Sequence, residues 1–123
     1  MISVTPANAP KPIGPYSDAV KSGSLLFCSG QTPADPATGK IAGPTIEEQA
    51  KQSCLNVKAL VEAAGSSMEK VVKTTCFLSD IKDFGRFNKI YAEYFISKPA
   101  RSCFAVKDLP GGALCEIEAI AEL

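Results

Sequence analysis

The 123-residue sequence contains no histidine and no tryptophan, and none of its five cysteines forms a C-x-x-C pair. Without imidazole there are no Ser-His or Cys-His nucleophile pairs, and the commonest metal ligand is missing. Scattered cysteines without histidine do not build a zinc site, so no metal is expected. Excess charge of either sign is also absent. Thirteen acidic residues balance thirteen basic ones, and the basic residues form no stripe that would follow a phosphate backbone, which argues against nucleic acid as a partner. No apolar run approaches a membrane span. The opening Met1-Ile2-Ser3-Val4-Thr5-Pro6 has neither an apolar signal core nor an Arg-rich amphipathic helix. A cytoplasmic protein is expected, with Cys28, Cys54, Cys76, Cys103 and Cys115 as free thiols.

The length allows one modest core, so residues 1–123 are read as a single domain. Apolar residues at 46% and charged residues at 21% suit a globular chain. Ser17 to Val20 and Leu25 to Ser29 are strand-like on either side of Ser22-Gly23, the signature of a hairpin. Asp35-Pro36-Ala37-Thr38-Gly39 reads as a surface loop, and Gly43-Pro44 as a further break. Thr45-Ile46-Glu47-Glu48 is a capping box. Behind it, Ile46, Ala50, Ser53, Val57, Leu60, Val61 and Ala64 recur at helical spacing up to Gly65, a C-terminal stop.

Lys70 to Ser79 alternates, with Val72, Thr74, Cys76 and Leu78 on one side, and predicts a central strand. From Asp83, the residues Phe84, Phe87, Tyr91, Tyr94 and Phe95 mark a second amphipathic helix, which Pro99 ends by Ser97. Arg101 to Val106 and Leu114 to Ile120 are strands separated by the turn at Leu109-Pro110-Gly111-Gly112. Strands, helix, strand, helix, strands make a two-layer α+β domain whose uncovered sheet face needs a partner. Glu116 and Glu118, two apart beside Leu114 and Ile120, suit a subunit interface with a basic partner, for which Arg101 is the candidate.

Three segments carry a likeness to a known family: Ile13-Gly14-Pro15-Tyr16-Ser17, Ser29-Gly30-Gln31, and Pro99-Ala100-Arg101-Ser102-Cys103 running on to Glu116-Ile117-Glu118-Ala119-Ile120-Ala121. Between them Glu62-Ala63-Ala64-Gly65-Ser66, Val72-Lys73-Thr74-Thr75 and Asp83-Phe84 through Asn88 and Tyr91 match in order. Over nearly its whole length the chain resembles the RidA/YjgF family of reactive intermediate deaminases. That resemblance implies a chorismate-mutase-like fold, a mixed sheet with two helices on one face, and a homotrimer whose three sheets form a central barrel with clefts between subunits. It also implies a cofactor-independent hydrolase that converts 2-iminobutanoate and 2-iminopropanoate to 2-oxo acids and ammonia.

In that family pattern Arg101 anchors the substrate carboxylate, Glu116 orients or activates water, and Tyr16, Ser29, Gly30, Phe84, Asn88 and Cys103 line the cleft. The chemistry is consistent with the residue types. A planar guanidinium grips a carboxylate through two parallel charge-assisted bonds, and a protonated imine is electrophilic enough to need only placed water and a proton acceptor. From the residues alone Arg101 also reads as a structural ion-pair partner of Glu116 or Glu118, Glu116 as a carboxylate satisfied by its surroundings, and Cys103 as a small buried apolar group. One departure stands at the cleft border: Ile96-Ser97-Lys98 is shorter than family members usually show, and Lys98 replaces the aromatic common before Pro-Ala-Arg. A wider or more positive entrance is expected there. Two other readings attach to the same resemblance, an endoribonuclease acting as translation inhibitor, and a non-catalytic trimer that binds small carboxylates or shields partner proteins.

Overall fold

The computed structural model describes residues 1–7 and 9–123. Thr45 is extended, its hydroxyl accepts from the Glu48 N–H at 3.2 Å, and helix α1 (Ile46–Ala63) begins behind it. Only half of the reciprocal box forms. The Thr45 hydroxyl donates to Glu48 Oε1 at 2.9 Å, and the same carboxylate packs on the backbone of Gly43, where a Cβ would overlap it; it does not turn back to a backbone N–H. At the other end Gly65, at φ +85°, lets its own N–H reach Glu62 O and that of Ser66 reach Val61 O, the paired bonds that a left-handed residue after a helix makes. All seven residues of the expected stripe are buried.

Six strands form one mixed sheet: β1 (Ile2–Val4), β2 (Ala19–Ser22), β3 (Leu25–Gln31), β4 (Val71–Leu78), β5 (Ala100–Ala105) and β6 (Cys115–Glu122), in the order β1-β2-β3-β6-β4-β5. Only β4 and β5 pair in parallel, and β6 lies antiparallel between β3 and β4. Strands β3 and β4 therefore run the same way, and α1 connects them. Helix α2 (Phe84–Tyr94) connects the parallel pair β4 and β5. Both crossovers step across the sheet in the same direction, which for the usual right hand puts both helices on one face, and α1 and α2 pack together there in the expected two-layer α+β architecture.

The helix-side face buries Ala19, Leu26 and Cys28 of the hairpin, Thr74, Cys76 and Leu78 of β4, and Cys115, Ile117, Ala119 and Ala121 of β6. The other face carries Phe27, Phe77, Phe104, Glu116, Glu118 and Ile120. Phe27 and Phe104 are exposed, and Phe77 meets Phe104 edge to face with centroids 5.5 Å apart.

One local expectation gives way, and two features stand that no sequence pattern signalled. The edge strand β1, only three residues long and paired with Ala19 to Lys21, lies in a segment with no alternation to read. Val72 is 39% exposed while Val71 is buried, because a register shift between Val71 and Lys73 moves Val72 off the buried side. Lys98 holds φ +51°, strained for a side chain before proline, where the short connection turns from the end of α2 into β5.

Candidate functional site

Arg101 is the second residue of β5, paired with Thr74 of β4, and Cys103 is paired with Cys76. Thr74 and Cys76 face the helices, so Arg101 and Cys103 rise on that side of the sheet. There the Arg101 guanidinium donates to Asn88 Oδ1 at 2.8 Å. Its central carbon stands 4.8 Å from the centroid of the Tyr91 ring and 5.5 Å from that of Phe84, within cation–π range of both. Tyr91 in turn stacks on Phe95, centroids 4.4 Å apart, and shares a 2.7 Å hydrogen bond with the Thr74 hydroxyl. Burial pushes the Tyr91 phenol up to about 12, so it remains a neutral platform. Neither ion pair found among the described residues, Arg86 with Glu47 and with Asp83, involves Arg101.

Cys103 is half-buried, and burial raises its thiol pKa despite the opposing pull of Arg101. A protonated thiol is a wall, not a nucleophile.

Glu116 belongs to the opposite face. It pairs with Phe77 across β6 and β4, on the sheet side away from the helices and from Arg101. The β3–β6 register shifts between Cys28 and Gln31, a bulge that contains Ser29 and Gly30. Because Gly30 has no side chain, the Glu116 carboxylate lies on its backbone; a Cβ there would stand 2.9 Å from Glu116 Cδ. The Ser29 hydroxyl donates to Ser17 O at 2.7 Å. Tyr16 is half-exposed, and its hydroxyl accepts from the Ile13 N–H at 3.3 Å. These four residues line a cavity of about 920 Å³ together with Asp18, Lys11, Lys40 and residues of the loop between β3 and α1. Burial, and secondarily the charge of Glu118, raises the pKa of Glu116 above the ordinary carboxylate value.

The eight expected site residues thus separate into two groups. Arg101, Asn88, Phe84 and Cys103 lie on the helix side, and Tyr16, Ser29, Gly30 and Glu116 lie around the cavity on the open side. The ion pair of Arg101 with Glu116 or Glu118 does not exist within one protomer; Asn88 takes its place because the sheet stands between them. Tyr91, which the sequence placed in a core stripe and in the matching segment but not among the cleft residues, also belongs to the first group. Its signal was a hydroxyl in an aromatic row, one that Tyr94 shares.

Asp18, on the cavity, is a further residue that sequence reading missed. It is 3% exposed, and its Oδ2 has no hydrogen-bond partner among the described residues. Burial raises its pKa above 3.8. The folded chain therefore takes up this proton at higher pH than the unfolded chain, and an ionised Asp18 costs stability as pH rises past that value. Asp18→Asn, which removes the buried charge, is expected to raise Tm at neutral pH. The gain should vanish in thermal melts below pH 3.8, where both forms are neutral.

Fold and side-chain placement define a two-layer α+β protein with an aromatic-backed arginine on one sheet face and a carboxyl-lined cavity on the other. The family model described as Endoribonuclease L-PSP matches residues 6–123, and the chain belongs to that family, the RidA/YjgF family. It is 54% identical over 115 residues to a RutC family protein of Pyrococcus horikoshii, covering 93% of this chain and 91% of the relative. It is 46% identical over 123 residues to the 2-iminobutanoate/2-iminopropanoate deaminase of Salmonella typhimurium, covering 97% and 95%. Among solved structures, E. coli TdcF with bound serine superposes with a TM-score of 0.95 at 41% identity, covering 100% of this chain and 99% of that one. The YjgF gene product of E. coli superposes at 0.94 with 42% identity, covering 99% and 98%. Among the described residues no helix is long and apolar enough to cross a membrane.

Proposed function

We propose that this chain is a cofactor-independent hydrolytic deaminase of small 2-imino acids, 2-iminobutanoate and 2-iminopropanoate, acting as a homotrimer in the cytoplasm. Residues 1–123 form its one domain. The observation that carries the reading is a guanidinium braced by Asn88, Tyr91 and Phe84 with no carboxylate on it, in a chain whose cavity glutamate lies on the opposite sheet face. One protomer cannot bring the two together. Strand β5 is an edge of the sheet, and a trimer that packs this edge of one copy against the open face of the next would set Arg101 beside Glu116.

In such a cleft Arg101 holds the substrate carboxylate through its remaining N–H donors. Glu116 accepts a proton from water as the water oxygen bonds to C2, and the C=N π electrons move to nitrogen. The protonated Glu116 returns that proton to the amine. The C–N bond then breaks, the hydroxyl proton passes to the departing ammonia, and the 2-oxo acid is left. A raised Glu116 pKa favours this cycle, since a base works best when its pKa approaches the operating pH. The Salmonella relative's name and the serine bound in TdcF support a small carboxylate-bearing ligand. The test couples a threonine dehydratase to an imine trap: the protein should speed 2-oxobutanoate release, and no acceleration would refute the reading.

The family model's description favours a second reading, an endoribonuclease. The balanced charge of thirteen acids and thirteen bases speaks against it, and tight RNA binding that weakens steeply with salt would support it.

A further inference from the structure

The cavity beside Glu116 is walled by the loop between β3 and α1, through Thr32, Ala34, Pro36, Gly39, Lys40 and Ile41. The loop is a small hairpin: Ala34 bridges Ile41, and Asp35 N–H reaches Lys40 O at 2.8 Å. Both of its legs are fastened to α1 by side-chain amides. Asn56 Nδ2 donates to Thr32 O at 3.0 Å and to Ala34 O at 2.8 Å on the outgoing leg. Gln49 Nε2 donates to Gly43 O at 3.0 Å on the return leg. The two amides are seven residues apart, two helical turns, and so share a face of α1. Both are buried, at 4% and 1% exposure.

Gln49 has a second bond that changes its meaning. Its Oε1 accepts the Leu114 N–H at 2.8 Å, two residues before Glu116 and just after the turn at Pro110–Gly112, whose Pro110 and Gly111 also line the cavity. A single side chain therefore ties the cavity wall to the start of the strand that carries Glu116. Every bond it and Asn56 make to the wall and strand is to backbone, so the tether is independent of loop sequence.

We infer that Gln49 is a positioning residue, which fixes the cavity wall through Gly43 and the placement of Glu116 through Leu114, and that Asn56 fixes the wall alone. This rests on the deaminase reading above. The two ends of the Gln49 amide can be separated. Glu at position 49, when ionised, keeps an acceptor for Leu114 N–H but has no donor for Gly43 O; Met keeps the length and loses both.

The experiment measures kcat and KM for imine hydrolysis with purified full-length trimers, each normalised to its folded fraction by circular dichroism and size exclusion. Gln49→Glu and Asn56→Asp should raise KM about fivefold or more with kcat within about twofold, and Gln49→Met should also lower kcat about fivefold or more. Val61→Ala, which destabilises the same helix but removes no hydrogen bond to wall or strand, should change neither. If Gln49→Met fails to fold, the KM rise in Asn56→Asp and Gln49→Glu decides. Folded variants with wild-type kcat and KM, or a KM rise shared by Val61→Ala, would overturn the inference. Wild-type protein without imine hydrolysis would instead overturn the deaminase reading, and this inference with it.

Discussion

Arg101→Lys is expected to lower kcat/KM for imine hydrolysis by roughly a hundredfold or more, mainly through KM. The guanidinium donates one bond to Asn88 and lies against the rings of Tyr91 and Phe84, which fixes its plane and leaves further N–H groups for a ligand. Lysine keeps the charge and loses the planar fork. Two charge-assisted bonds are reduced to a point attraction, and each such bond contributes about 1.5–3 kcal/mol. Steady-state kinetics with dehydratase-generated imine checks this, and an Arg101→Lys enzyme with wild-type KM would remove Arg101 from the anchor role.

Glu116→Gln should act on the other parameter. The amide has the carboxylate's shape and still fits over Gly30, but it cannot take a proton from water. A kcat lower by roughly two to four orders of magnitude is expected, with KM changed by less than about threefold, since the proposed anchor is Arg101. The pH profile carries a second signature. Glu116 must be ionised to act as base, so activity falls as pH drops through its pKa, which burial and then Glu118 hold above 4.5. Glu118→Gln removes the like charge and should move this acid limb to lower pH. An acid limb indifferent to position 118 would contradict the assignment.

The fold was legible wherever one local rule was strong. Thr45, the seven-residue stripe and Gly65 mark α1 at both ends because cap and periodicity agree. The aromatic row marks α2, and the alternation of β6 separates its buried side from the side of Glu116 and Glu118. Strand β1 was not legible, since a three-residue edge strand is held by its neighbour and not by its own pattern. Val72 was misplaced because a bulge shifts the period by one, and no residue type announces it.

For the candidate site, the sequence offered residues but no arrangement. Arg101 and Glu116 stand on strands that do not touch, with β4 between them, and only the register through Thr74 and Phe77 shows that they rise on opposite faces. Gln49 and Asn56 were passed over because an apolar stripe is counted by its apolar members. Two buried amides at helical spacing in such a stripe must bond to backbone somewhere, and that requirement was the available signal.

The most direct test mixes two inactive parents. Arg101→Ala and Glu116→Ala protomers, refolded together in equal amounts, should regain about a quarter of wild-type activity, because three-quarters of random trimers are mixed and each mixed trimer holds one intact cleft of three. A mixture no more active than either parent alone would contradict a cleft that takes its arginine from one copy and its glutamate from the next.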